Sequence, residues 1–280
     1  MARNDDVVVI TGASSGIGAA LARRLGSEKR RLVLAARRGE LLRQVAREAE
    51  ERGAVHAAVV EADVTRRADV ERLRDAALAT FGRFDAWINN AGRGIARPVL
   101  ELTDEDVDEL IAVNLKSALY GMQVAVPHFL SRGSGHLVNV SSFLGRVPLV
   151  SIRSVYSAAK AALNSLTASL RLDLAAKYPG VHVSVVMPGI VSTDFARNAR
   201  GAPPPLPAGP RAAGSPQMQP QAAEEVADAI AQLLHHPVPE LYTNPASAEL
   251  ARAYFADVAE FERRASASGR AWPPPAGDIR

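Results

Sequence analysis

Tyr156 and Lys160 stand four positions apart in an alanine-rich run, Ser154-Val-Tyr-Ser-Ala-Ala-Lys-Ala-Ala-Leu-Asn164. Alanine favours helix, and residues i and i+4 leave a helix on one face, so the phenol and the ammonium should be neighbours. A free phenol has a pKa of about 10, and an adjacent cation favours its ionised form. Such a pair can give and take a proton. The same spacing also describes an ordinary solvated helix face, so its chemistry depends on what the rest of the chain brings to it. Lys29, Lys116, Lys160 and Lys177 are the only lysines, which makes Lys160 conspicuous.

The elements that could position this pair begin at the amino end. Val7-Val-Val-Ile10 runs into Thr11-Gly-Ala-Ser-Ser-Gly-Ile-Gly18 and then into a helical pattern through Leu25. This reads as strand, glycine turn, helix. Gly12, Gly16 and Gly18 let the backbone approach a pyrophosphate, and the helix opening near Gly16 offers unpaired N–H groups and a positive dipole end. Strand two, Arg31–Ala35, ends in Ala36-Arg37-Arg38. An acid at that point would accept from a ribose 2′-hydroxyl, whereas an arginine can pair with a 2′-phosphate, so Arg37 points to NADP(H) over NAD(H). The alternative is that Arg37 and Arg38 begin the solvated helix Glu40–Arg52.

Further along, His56–Glu61 reads as strand three, followed by Asp63-Val64-Thr65, with Thr65 expected to cap a helix that runs to Phe81 and stops at Gly82. Strand four, Phe84–Ile88, delivers Asn89-Asn90-Ala91-Gly92. Thr103 caps a helical region that continues past Asn114 to Ser131, although Asn is a poor helix former. Strand five, His136–Val140, runs into Ser141-Ser142, and strand six, Val181–Met187, stops at Pro188-Gly189 and leads to Thr193. Alternating strands and helices predict a parallel sheet covered on both faces, and open sheets of this kind bind ligands at the carboxyl ends of their strands. Residues 202–221 turn to Pro, Gly and Ala. They read as a mobile flap over the site or as passive disorder. A helix Ala222–Leu234, a short segment at Leu241-Tyr242 and a single amphipathic helix over 247–264 complete one expected domain, 1–264, with a flexible tail at 265–280.

Composition narrows the function classes. The chain has 280 residues, 48% of them hydrophobic, enough for a substantial α/β core. It contains no cysteine, and its histidines are scattered apart from His235-His236, so no metal site is expected. The net charge of +3 comes from basic residues interleaved with acids, which argues against a nucleic-acid partner. With no signal-type or membrane-length apolar run, a cytoplasmic protein is expected.

Read together, Thr11-Gly-x-x-x-Gly-x-Gly18, Asp63, Asn89-Asn-Ala-Gly92, Asn114, Ser142, Tyr156-x-x-x-Lys160 and Pro188-Gly-x-Val-x-Thr193 closely resemble the short-chain dehydrogenase/reductase family, over roughly the first 195 residues. The resemblance implies a doubly wound, Rossmann-type sheet of about seven strands in a three-layer αβα sandwich. It implies an oxidoreductase that interconverts a carbonyl and an alcohol with NADP(H). In that scheme Tyr156 is the proton donor and acceptor. Lys160 tunes it and holds the nicotinamide ribose, Ser142 donates to the substrate oxygen, and Asn114 positions a water through its backbone. Gly12, Ser14, Ser15, Gly16, Ile17 and Gly18 would cradle the pyrophosphate. Asp63 and Val64 would meet the adenine, Asn90, Ala91 and Gly92 would line the cofactor, and Pro188, Gly189, Val191 and Thr193 would hold the carboxamide, while Asn89 ties the sheet.

Two features depart from the family pattern. Ser142 precedes Tyr156 by fourteen positions, one more than is common, and Ser14 and Ser15 stand where NADP-using relatives often have a basic residue. The resemblance also suggests a homodimer or homotetramer paired through the helix Ser157–Lys177, with Leu163, Leu166 and Leu170 as candidate contacts. Ile95, Phe143, Leu144, Leu149 and Phe195 hint at an apolar small-molecule substrate. The competing expectation is a cofactor-binding regulatory or scaffold protein that retains the fold without turnover.

Overall fold

β-Branched runs and alanine- and leucine-rich stretches alternate along the chain, and the computed structural model, which describes residues 6–193, 195, 198–201 and 220–267, folds them into an α/β sandwich. The strands β1 (Val7–Thr11), β2 (Arg31–Ala36), β3 (His56–Glu61), β4 (Ala86–Asn89), β5 (Gly135–Val140) and β6 (Val181–Met187) are joined by a short last strand, Glu240–Tyr242. They form a seven-stranded sheet in the order β3-β2-β1-β4-β5-β6 with the last strand outside β6, and every pairing is parallel. The order reverses between β1 and β4, which is where open sheets of this type leave a crevice.

Side chains alternate across each strand, so each face acquires its own core. Val8, Ile10, Leu32, Leu34 and Ile88 meet α1 (Gly16–Gly26), α2 (Gly39–Glu51) and a late helix, Ala223–His235. Val7, Val9, Val33, Trp87 and Leu137 meet α3 (Arg67–Phe81), α5 (Ser117–Arg132) and α6 (Ser154–Ala175) on the other face. Each fully buried residue such as Leu21 or Leu73 contributes about 1.5–3 kcal/mol relative to exposure.

Three details differ from the sequence expectation. Thr65 does not cap α3: Asp63 Oδ1 accepts from both Thr65 N and Oγ1, at 3.0 and 2.7 Å, and this Asx turn leaves Arg66 at the cap. The region from Thr103 is not one α-helix. Thr103 and Asp106 form a capping box for α4 (Asp104–Ile111), and a π turn over Ala112–Lys116, carrying Asn114, separates it from α5.

The carboxyl-terminal helix is divided, because Asp257 adopts an extended backbone and accepts from Glu260 N at 2.9 Å. An aspartate cap thus ends one helix, Pro245–Ala256, and starts another, Val258–Ala267, which continues into the expected tail. The flap expected at 202–221 lies mostly outside the described residues. Its last residue, Gln221, pairs with Val191 in a two-stranded sheet beside the strand ends.

Candidate active site

β1, β4, β5 and β6 deliver their last residues to one edge, and the polar residues singled out from the sequence collect there. After β1, Gly12 has φ +68°, and a Cβ on it would lie 2.8 Å from Ala91 Cα. A Cβ on Gly18 would lie 2.5 Å from Gly12 O. These two glycines therefore permit both the turn and the packing of α1 against it. Asn90 fixes the turn, its amide donating to Thr11 O at 2.9 Å and Gly12 O at 3.3 Å. That side chain shapes the cradle. Ser15 precedes α1 without a side-chain cap, and the first turn holds no acid, so its N–H groups and positive end are open to an anion.

Arg37 is exposed, whereas Arg38 folds back over the turn and donates to Ser14 Oγ at 3.1 Å and Ser15 Oγ at 2.6 Å. The basic charge missing from the turn's own sequence is supplied from the end of β2. Asp63 keeps its second carboxylate oxygen without a partner among the described residues. Asn89 ties β4 to β5 through Asn139 at 2.8 Å and receives Trp87 Nε1 at 2.8 Å. Thr193 sits over the other flank, 3.4 Å from where a Gly16 Cβ would be. Pro188 O accepts from Phe143 N at 2.8 Å and so joins the end of β6 to the loop after β5.

On α6, Tyr156 and Lys160 are 7% and 3% exposed. Ser142, 6% exposed, accepts from Leu144 N at 3.1 Å and lies near enough to the Tyr156 hydroxyl to favour its ionised form. Ser141 instead turns away and donates to Lys160 O. Burial raises the Tyr156 pKa, while Ser142 and the charge of Arg153 pull it down. Burial lowers Lys160 to about 7. Its Nζ donates to Val140 O at 2.9 Å and stands 5.9 Å from the centre of the Tyr156 ring. The lysine contributes nothing to the balance at the phenol, so the expected depression by Lys160 is absent, and loss of water acts against the ionised form of both groups.

Asn114, 1% exposed, clamps the residue after the Asn89-Asn90-Ala91-Gly92 run. Its Nδ2 donates to Arg93 O at 2.9 Å, and its Oδ1 accepts from Arg93 N at 3.1 Å. A Cβ on Gly92 would lie 3.0 Å from Asn114 Oδ1 and 3.7 Å from Lys160 Nζ, so these three residues converge behind the tyrosine.

The expected apolar residues divide into two sets. Ile95, Leu144 and Phe195 cluster with Tyr156, and Phe195 meets its ring edge to face at 5.5 Å. Phe143 and Leu149 pack instead with Leu250, Tyr254 and Phe261, beneath the last two helices. Those helices, without a role in the sequence reading, hold down the loop that carries Ser142. Arg38 and Arg153 were passed over as site residues; adjacency to Arg37 and to the start of α6 were the available signals.

The profile of the family described as short chain dehydrogenase matches residues 6–203. An uncharacterized oxidoreductase of Bacillus subtilis (strain 168), YxnA, is 38% identical over 240 residues, which is 85% of this chain; the chain spans 65% of that relative's length. Among solved structures, a short chain dehydrogenase/reductase from Burkholderia phymatum in complex with NAD aligns over 99% of this chain and 100% of its own, with TM-score 0.81 and 27% identity. An alcohol dehydrogenase from the archaeon Thermococcus sibiricus, complexed with 5-hydroxy-NADP, aligns over 85% and 96%, with TM-score 0.73 and 28% identity. The chain belongs to the short-chain dehydrogenase family.

Proposed function

We propose that the chain is an NADP(H)-dependent oxidoreductase that interconverts a carbonyl and an alcohol, with Tyr156 as proton donor and acceptor. The observation that carries this is the convergence of buried Tyr156, Ser142 and Lys160 at the strand edge that also bears the open glycine turn. The turn fits a dinucleotide: two glycines are sterically required, and the first turn of α1 is uncapped. A bound nicotinamide supplies or accepts the hydride.

In the reducing direction the Tyr156 O–H gives its proton to the carbonyl oxygen, and Ser142 donates a hydrogen bond to the same oxygen as negative charge grows there. The resulting phenolate is stabilised by Lys160, which takes up its proton most readily at and below pH 7, given a pKa lowered to about 7. Proton supply from solvent runs through the neighbourhood of Asn114. The π turn over Ala112–Lys116 places Asn114 there out of the regular α-helical ladder.

For the cofactor, Asp63 offers its spare oxygen to the adenine amino group, and Arg37 and Arg38 flank the position of a 2′-phosphate. Both the NAD and the NADP types of neighbour share this fold; the arginine pair, with Ser14 and Ser15, favours NADP(H). Leu166 and Leu172 are exposed on α6, while Leu163 is core, so we assign a homodimeric or homotetrameric contact to the former pair. Light scattering that shows monomer alone at micromolar concentration would reject that contact.

The main test follows NADPH absorbance against a panel of ketones and aldehydes. Tyr156→Phe should lower kcat by ~10²–10⁴-fold while NADPH still binds; turnover that survives in the variant sinks the mechanism. NADPH binding without turnover of any carbonyl would favour a regulatory or scaffold role. Arg37→Ala and Arg38→Ala should together weaken NADPH by ~10-fold or more and leave NADH unchanged. Equal affinity for the two cofactors in the parent would refute the phosphate assignment.

A further inference from the structure

Arg153 immediately precedes α6, one helical turn ahead of Tyr156. A methyl built on Gly94 would lie 2.8 Å from Arg153 Nη1 and 2.8 Å from Phe195 Cε1, so guanidinium and ring press on the same point. Phe195 in turn contacts the Tyr156 ring. The guanidinium therefore belongs to the wall that surrounds the reacting phenol, and its charge acts on that phenol.

The neighbouring arginines are each committed to an acid. Arg93 pairs with Glu109, Arg97 with Asp106 at 3.1 Å, Arg200 with both of these acids, and Arg146 with Glu240. Arg153 differs from all of them. It is half-buried, its one side-chain hydrogen bond goes to Ile95 O at 2.7 Å, and no carboxylate faces it among the described residues. The helix behind it adds to the excess of positive charge, since its first turn has no acid and no side-chain cap. Burial lowers the Arg153 pKa, as expected for a cation withdrawn from water without a counter-ion, yet a guanidinium stays charged throughout the working pH range. A planar fork with unused donors matches a carboxylate in two-point contact.

We propose that Arg153 binds the carboxylate of an oxo-acid substrate, whose apolar body lies along Leu144 and Phe195 and whose ketone reaches Tyr156 and Ser142; this rests on the carbonyl chemistry proposed above. It replaces a generic apolar ligand with an amphiphilic one, an anion at the mouth and hydrocarbon within. In the opposite direction the same site takes the corresponding hydroxy acid.

The experiment measures NADPH-dependent reduction of octanoates in which the ketone is moved stepwise along the chain, each acid beside its methyl ester. For the best isomer the acid should exceed its ester by ~10-fold or more in kcat/KM. Arg153→Gln should raise KM for that acid by a similar factor and leave the ester's KM unchanged, while any change in kcat from the lost charge beside Tyr156 should be the same for acid and ester. If Arg153→Gln does not fold, Arg153→Lys carries the test, because one ammonium replaces the fork and only the acid's KM should rise.

Esters used as well as acids at every ketone position would overturn the proposal, as would an equal rise in KM for acid and ester in either variant. Failure of both forms to turn over would refute the enzymatic reading instead. Thermal shifts with NADPH present then decide the carboxylate site: stabilisation by acids alone, lost in Arg153→Gln, supports it, and no difference between acid and ester overturns it.

Discussion

Two buried cations sit at opposite edges of the same sheet. At the amino edge Arg30, 1% exposed, is held by Asp6 at 3.0 Å and Glu28 at 2.9 Å, with His235 alongside. Burial works against the ionised form of Glu28, but the bonds from Arg30 and His235 overcome it and its pKa is lowered. The cleft around Arg30 also contains Arg83, Asp85, Arg132 and His136, and its arginines are paired with acids. At the carboxyl edge Lys160 is equally buried and has a backbone carbonyl in place of a carboxylate. A compensated buried charge joins strands and loops; an uncompensated one costs stability and is retained where a ligand or a reaction uses it.

The sharpest way to break this comparison is Lys160→Met. Turnover should fall by ~10²–10⁴-fold, while the folded chain at pH 7 becomes more stable by ~1–4 kcal/mol. The sign follows from a folded pKa lowered from 10.5 to about 7: burial costs nothing once the free lysine is neutral, and the cost accumulates as pH falls from 10.5 towards 7. Denaturant titrations at pH 7 and above pH ~10.5 should therefore show a gain that shrinks at the higher value. A destabilised variant at pH 7 would mean that Lys160 is a structural cation like Arg30.

The converse change, Asp6→Asn with Glu28→Gln, leaves Arg30 buried without a carboxylate. It should cost about 3–5 kcal/mol in urea unfolding without altering KM of the folded enzyme. Next comes His136, buried with Nε2 on Ser184 Oγ at 2.8 Å and Nδ1 unpartnered. Burial lowers its pKa from 6.5 to about 3, so the unfolded chain binds the proton first and stability declines as pH falls below 6.5. The loss should approach about 3 kcal/mol at pH ~4 and disappear in His136→Asn. The smallest effect is expected for Arg83→Met. Its pairs with Asp6 and Asp85 are open to solvent on the arginine side, and the variant should lose no more than ~1 kcal/mol.

Much of this protein was legible before folding because its signals are local. The β-branched runs at His56–Glu61 and Val181–Met187 mark their strands to the residue, and Gly82 stops α3 with φ +70°. The motif order from Gly12 to Thr193 likewise announced which strand ends would meet, since parallel crossovers bring every carboxyl end to one edge. What local pattern could not carry is competition between partners. Asp63 captures Thr65 before it can cap α3, Asp257 ends a helix whose apolar period continues, and Asn90 turns to the glycine loop. The same holds for charge. Sequence alone set Arg37 and Arg38 side by side and gave Arg153 no distinction from the other arginines. Only the tertiary structure decided that Arg38 reaches the glycine turn and that Arg153 faces the tyrosine without an acid, because whether a charge is paired depends on residues far away along the chain.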